Sequence, residues 1–167
     1  DYSDSPSISA TNGRYVTFSS AASNLVSGDT NGMGDIFLRD TLAGTTTRVS
    51  VTTSGSQGNS VSSVPSISAD GRYSVLLSAV GRSFSLSLYD RLDGSTRPLD
   101  LDIQDPRWQQ LVSQLAISAD GSRLALLVNS NPSAAIFLYH RQADELVKVA
   151  SLEPSAPAAS ARITLAL

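Results

Sequence analysis

The chain has 167 residues, of which 41% are hydrophobic and 16% charged, so it can form a packed core and is too weakly charged for a disordered tail. Its net charge of −3, without a cluster of Lys and Arg, argues against nucleic acid and anionic membrane surfaces as partners. The absence of cysteine excludes disulfides, thiolate metal sites and cysteine nucleophiles. No apolar run approaches the ~18 residues of a membrane-spanning helix.

A strand-turn-strand block near the N-terminus recurs twice along the chain. Its three copies occupy residues 6–15, 65–73 and 116–124, and each contains Ile-Ser-Ala followed by a turn with glycine. A second block follows each copy, at residues 35–40, 85–90 and 135–140. The last residues of these second blocks, Asp40, Asp90 and His140, are 50 positions apart. A fixed period of this kind indicates a repeat architecture.

Each repeat predicts four short antiparallel strands. The first two alternate apolar and polar residues around an Asn-Gly or Asp-Gly hairpin turn, and the second block forms the third strand. A turn ending at Gly44 or Gly94 leads into a fourth strand over 45–51 or 95–101, with Asp144 at the glycine position in the third repeat. The predicted fold is all-β, with three β-propeller blades, although a solenoid of strands is an alternative.

The predicted blades are residues 1–63, with a long Asp/Asn/Gly loop, 64–113 and 114–152. Residues 153–167 are predicted to form a linker and a strand that either closes the first blade or begins a fourth. A closed propeller has about 4–8 blades. We therefore expect either a part of a longer propeller or a homodimer in which two copies form a six-bladed ring.

The Ser-Ile-Ser-Ala-Asp-Gly-Arg-Tyr block at residues 66–73 resembles the WD40-like propeller repeat, of the PD40 or TolB type, found in exported bacterial proteins. Residues 23–40 are similar to the longer blades of that group, whereas the second and third repeats lack the Asp-Thr-Asn-Gly insertion. The resemblance covers residues 5–150 and implies the fold. It implies little about function, because propellers host many activities.

The strongest candidate for a ligand site is the loop at residues 29–35. Asp29, Asn31 and Asp35 offer side-chain oxygens at its first, third and seventh positions, and the Met33 carbonyl adds another. Oxygen ligands on a glycine-rich loop are typical of Ca²⁺ sites, although no Glu follows at position 12. The alternative is an Asx-rich turn, in which these side chains bind their own backbone.

The repeated Asp40 and Asp90 are interpreted as structural, accepting N–H groups of the turn that follows them. His140, the single histidine, could act as a general base, but the chain contains no Gly-x-Ser-x-Gly nucleophile motif. The carboxylates at Asp100, Asp102 and Asp105 are expected to belong to an acidic connection. Trp108 is interpreted as a packing residue between blades. The sequence therefore predicts that the chain is not an enzyme.

These observations favour a non-catalytic, exported propeller module that binds a protein or glycan partner, with Ca²⁺ as a stabilising ion. The serine- and threonine-rich composition with a single lysine, Lys148, is typical of periplasmic or secreted bacterial proteins. One alternative is the propeller part of a larger, peptidase-like hydrolase. Another is a structural module that self-assembles through its blade edges.

Overall fold

Three four-stranded antiparallel sheets make up the described part of the structure, which is a computed structural model covering residues 2–80, 83–99, 112–130 and 133–152. In each sheet the strands follow one another in chain order as a meander. The predicted all-β fold and the three blades of four strands are confirmed. Residues 153–167, with the predicted C-terminal strand, and the acidic stretch with Trp108 lie outside the described residues.

The strand bounds repeat from blade to blade. The first blade contains β1 (Ser3–Ile8), β2 (Tyr15–Ser20), β3 (Asp35–Asp40) and β4 (Thr45–Arg48). The second contains β5 (Ser62–Ile67), β6 (Tyr73–Val80), β7 (Ser83–Asp90) and β8 (Ser95–Leu99). The third contains β9 (Val112–Ile117), β10 (Arg123–Ser130), β11 (Ser133–His140) and β12 (Glu145–Leu152).

Side-chain hydrogen bonds of the repeated residues hold the first hairpin turn of each blade. In the second blade the Ser68 hydroxyl accepts the Tyr73 N–H at 3.0 Å and donates to Asp70 at 2.6 Å. The same Asp70 oxygen accepts the Arg72 N–H at 2.9 Å. The Ser-Ala-Asp-Gly motif therefore recurs because its side chains satisfy the backbone groups of a tight turn.

The repeated aspartates at the end of the third strand are structural, as predicted. Asp40 accepts the N–H groups of Leu42 and Ala43, both at 3.0 Å. Its carboxylate also receives two hydrogen bonds from the Arg14 guanidinium, at 2.7 and 2.8 Å. This pair, which Arg72 and Asp90 repeat in the second blade, ties the two turns at one end of a blade together.

Inter-blade packing follows from the alternation of side chains along each strand. A cluster of seven buried hydrophobic residues joins the first two blades, consisting of Tyr15, Ile36, Leu38, Val49, Ile67, Leu76 and Tyr89. A cluster of thirteen joins the second and third blades, and includes Tyr73, Val75, Leu77, Leu86, Leu88, Leu124, Leu126 and Tyr139. The middle blade thus contributes one face of its sheet to each cluster.

An Arg-Tyr-Arg stack occurs at both inter-blade contacts. The Tyr15 ring contacts the guanidinium groups of both Arg14 and Arg91, whose central carbons lie 4.9 and 4.2 Å from its centroid. Gly71 of the next blade packs against this ring, at a φ of +70°. The Tyr73 ring makes the same contacts, with Arg72 of its own blade and with Arg141 and Gly121 of the third blade.

Candidate functional site

Two acidic residues of the predicted loop lie beside an arginine. Asp29 and Asp35 are almost entirely buried, and their carboxylates lie 3.5 and 3.8 Å from the same nitrogen, Nη1 of Arg48 at the end of β4. Burial raises the pKa of Asp35, against the lowering effect of hydrogen bonds from Ser50 and Asn31 and of the Arg48 charge. A cation of the protein itself therefore partly balances the two negative charges.

The loop is also hydrogen-bonded to the connection that follows the first blade. Asn31 donates to the Gly58 carbonyl at 2.8 Å and to Asp35 at 3.3 Å. Gln57 donates to Asp29 at 3.1 Å, and the Ser50 hydroxyl donates to Asp35 at 2.5 Å. Three of these contacts, all except Asn31 to Asp35, cross 15 to 28 residues of sequence and hold the loop against the blade.

The structure brings Asp29, Asn31 and Asp35 together and leaves Met33 at the surface. The Met33 N–H donates to the Asn31 side chain at 2.9 Å, which is the Asx turn of the alternative interpretation. Among the described residues, no group of three His, Cys, Asp or Glu side chains is placed to hold a metal. A Ca²⁺ ion would share its carboxylates with Arg48, a residue that sequence reasoning missed. The calcium site therefore stays a prediction.

A groove of 430 Å³ lies where the inner strands β1, β5 and β9, the first strands of the three blades, meet. Its lining comes from equivalent positions of β1, β5 and β9, namely Ser5, Pro6, Val64, Pro65, Ser113, Gln114 and Leu115. At these positions the strands lose register with their neighbours, between Asp4 and Ser7 in β1 and between Ser63 and Ser66 in β5. The unpaired residues of these two bulges are those that face the groove.

The bulges hold strained backbone conformations. Ser5 has a φ of +49° and Val64 a φ of +53°, each directly before a proline. A β-branched residue in this region is rare and costs about 1–3 kcal/mol, and such strain often occurs at binding surfaces. Beside them, the side-chain carbonyl oxygen of Gln114 is buried without a hydrogen-bond partner. The groove therefore combines apolar proline rings with polar side chains.

His140 ends β11, where it pairs in register with Arg123 and Glu145. It lies at the position of Asp40 and Asp90, and the Arg of their ion pairs is replaced in this blade by Ser122. His140 is therefore at a structural position of the repeat, one that carries an ion pair only in the first two blades.

Among the described residues no helix is long and apolar enough to cross a membrane.

Solved structures with the same arrangement of blades are β-propellers. The chain matches TolB from Acinetobacter baumannii with a TM-score of 0.55 at 19% identity, over 87% of this chain and 31% of TolB. It matches the β-propeller domain of the Trilobed protease from Pyrococcus furiosus with a TM-score of 0.61 at 13% identity, over 92% of this chain and 43% of that one.

A peptidase gives a similar result. Dipeptidyl peptidase 4 from Porphyromonas gingivalis matches with a TM-score of 0.60 at 17% identity, over 89% of this chain and 25% of the peptidase. The sequence matches no family profile and no curated protein. The chain therefore has the fold of β-propeller blades, resembles those of TolB and of peptidase propeller domains, and spans between a quarter and a half of these proteins.

Proposed function

We propose that this chain is a non-catalytic propeller module that binds an extended segment of a partner protein in the groove between its inner strands. The observation that carries the proposal is the pair of strained bulges at Ser5 and Val64, which line the groove at equivalent positions of two blades. Strain at a position that recurs in two blades is retained at a cost in stability, and a recognition surface is a frequent reason for such a cost.

The composition of the groove favours a peptide over a glycan. Its described lining contains two prolines, two serines, Val64, Gln114 and Leu115, and no aromatic ring. Sugar rings stack well on aromatic faces, whereas an extended peptide needs apolar contacts for side chains and partners for its N–H groups. Pro6 and Pro65 supply the apolar contacts, and Ser5, Ser113 and Gln114 supply polar groups along the same lining.

The test is a peptide library displayed on phage and selected against the 167-residue chain, followed by anisotropy measurements with the best synthetic peptide. Ser113 is exposed and lines the groove, so Ser113→Glu places a charge there. We expect Ser113→Glu to weaken binding by at least ~10-fold, or ~1.4 kcal/mol. Mass spectrometry of the incubated peptide should show no cleavage.

The matched control is Leu42→Glu, in the β3–β4 turn, where the side chain is 78% exposed and outside the groove lining. It should bind the selected peptide as the unchanged chain does. Selection of no peptide, equal affinity of Ser113→Glu, or binding on a glycan array alone would each contradict the groove as a peptide site. Peptide cleavage would contradict a non-catalytic role.

Calcium stabilisation is a separate part of the proposal. The double variant Asp29→Ala with Asp35→Ala should lower the Tm only when Ca²⁺ is present, if an ion bridges these oxygens. If the two carboxylates serve only as ion-pair partners of Arg48, the double variant should lower the Tm by the same amount with Ca²⁺ and with chelator. Thermal melts under both conditions separate the two, and an equal fall would leave the loop with a structural role alone.

A second candidate function is the propeller part of a larger hydrolase. It is supported by the matches to peptidases, of which the chain spans about a quarter, as in acylaminoacyl peptidase at 25%. In that case the same gene would encode a catalytic α/β domain with a Gly-x-Ser-x-Gly nucleophile motif. Sequencing the surrounding gene distinguishes this candidate from a free-standing module.

A further inference from the structure

A second pocket, distinct from the groove, lies between the second and third blades at the end that carries the hairpin turns. Its volume is 200 Å³. The lining is mostly polar and charged, and consists of Arg72, Tyr73, Leu88, Asp90, Asp93, Ser95, Arg97 and Arg141. With three arginines and two aspartates, the lining carries one net positive charge at neutral pH.

The two aspartates of this pocket already have hydrogen-bond or ion-pair partners in their own blade. Asp90 forms an ion pair with Arg72 at 2.8 Å and accepts the Leu92 N–H at 3.0 Å. Asp93 accepts the Ser95 N–H at 2.8 Å, and hydrogen bonds from Ser95 hold the pKa of Asp93 below its usual value. Three of the five charged groups are thus engaged within the second blade, which leaves Arg97 and Arg141.

Arg97 and Arg141 have no carboxylate partner in the described part of the chain. The Arg141 guanidinium stacks on Tyr73 at 4.2 Å, and its Nε is buried without an acceptor. Leaving a buried N–H without an acceptor costs free energy. Both guanidiniums line the same pocket, and both lower the pKa of the nearby Tyr139, which burial and the hydrogen-bonded Asp144 carboxylate raise. Asp144 lies beyond salt-bridge distance of either arginine.

The equivalent place between the first two blades differs in two respects. There Arg91, the counterpart of Arg141, donates its Nε–H to the Gly71 carbonyl at 2.9 Å. Thr47 lies where the second blade has Arg97, since Leu38 pairs with Thr47 as Leu88 pairs with Arg97. The second arginine and the buried Nε without an acceptor are therefore features of one interface and not of the repeat.

We propose that the pocket between the second and third blades binds a small oxyanion, a carboxylate or phosphate group, held by Arg97 and Arg141. A guanidinium presents a planar fork of donors that matches the two oxygens of such a group. The volume accommodates a group of this size, and an oxygen of the bound anion gives the buried Arg141 Nε–H the acceptor that it lacks. The proposal is independent of the peptide groove, because the two linings share no residue.

The test is NMR detection of arginine Nε–H signals during titration of the 167-residue chain with sodium phosphate and, separately, sodium acetate. We expect the Arg141 signal to shift and saturate with at least one of the two anions. Saturation by phosphate alone or by acetate alone supports the site and identifies its preferred anion. Sodium chloride at equal ionic strength should leave the signal in place, since it only screens charge.

Two substitutions provide the comparison. Arg97→Thr introduces the residue of the first blade at an exposed position, and should weaken anion binding by at least ~10-fold. Arg91→Lys changes the counterpart at the other interface and should leave the affinity unchanged. Circular dichroism confirms the fold of both variants. Absence of saturation by either anion, an equal response to chloride, or unchanged affinity in Arg97→Thr would overturn the proposal.

Discussion

The two inter-blade interfaces use the same stack of arginine and tyrosine over different cores. Between the first two blades, seven buried hydrophobic residues lie next to a pocket of 250 Å³ whose lining is rich in Ser and Thr. Between the second and third blades, thirteen such residues form the core. The two interfaces therefore share the same contacts at the ends of the blades, where the turns meet, but their cores differ in the number of buried hydrophobic residues.

In the described part of the chain, the stack occurs at the two internal interfaces. The third blade has Arg123 where the others have Tyr15 and Tyr73, so it offers no ring to a following blade. The first blade has Thr41 where the others have Arg91 and Arg141, so it offers no arginine to a preceding one. The outer faces of this three-blade unit therefore cannot join to further blades through the same contact.

The largest expected effect comes from shortening a leucine in the larger core. Leu126 is fully buried there, and Leu126→Ala should cost about 4 kcal/mol of unfolding free energy, because a closed apolar cavity remains. The matched Leu76→Ala in the smaller core should cost about 2 kcal/mol, since water can enter beside the hydroxyl-lined pocket. Urea unfolding measures both. An equal or reversed cost would show that the two cores are equivalent.

A smaller effect is expected at the glycines that pack against the stacked tyrosines. At Gly71, alanine would have to adopt a φ of +70° and its Cβ would overlap the Tyr15 ring. Conformational strain and overpacking together predict a loss of about 3 kcal/mol for Gly71→Ala.

Gly121→Ala should behave like Gly71→Ala, because Tyr73 occupies the same place at the second interface. The control is Gly94→Ala, which has the same φ of +70° but open space around the added carbon. It should lose only about 1 kcal/mol. Thermal or urea unfolding of the three variants compares them, and a loss at Gly94 as large as that at Gly71 would mean that the ring contact is unimportant.

The smallest effect concerns the ion pair that the third blade lacks. Hydrogen bonds from Arg14, and from the Ala43 N–H, hold the pKa of Asp40 well below its ordinary value. A depressed folded-state pKa contributes stability above the unfolded pKa of about 4, which is lost as the pH falls further. Asp40→Asn should therefore lower the Tm slightly at pH 7, with a difference that shrinks in acid. Thermal melts between pH 7 and acid measure this difference, and a difference that stays constant would show that the ion pair is not its source.

Local turn chemistry made much of the fold predictable. The Asn-Gly and Asp-Gly hairpins, the alternation around them and the aspartates after the third strands all act over a few residues, so their roles follow from sequence alone. Asp144 is instructive, because it takes the place of Gly44 and Gly94 with a φ of +52°. Asp tolerates this conformation better than most residues, and its carboxylate accepts the Tyr139 hydroxyl at 2.8 Å.

The sites were less predictable. The oxygens of the loop at residues 29–35 do come together, but the cation beside Asp29 and Asp35 in the structure is Arg48, which lies on another strand. No spacing along the chain indicates that contact. The groove at the inner strands was missed altogether, although Pro6 and Pro65 inside strand patterns are a signal for bulges.

By itself, the sequence determined the repeat, the four-stranded units and the turns that connect them, because hydrogen bonds and side-chain alternation within a unit depend on near neighbours. Only the tertiary structure decided which side chains of different blades meet: Arg141 with Tyr73, Arg97 in the same pocket, and Ser5 with Val64 along one groove. A strand pattern shows that alternate residues share a face. It does not show which blade packs against that face, and the candidate binding sites lie at those contacts.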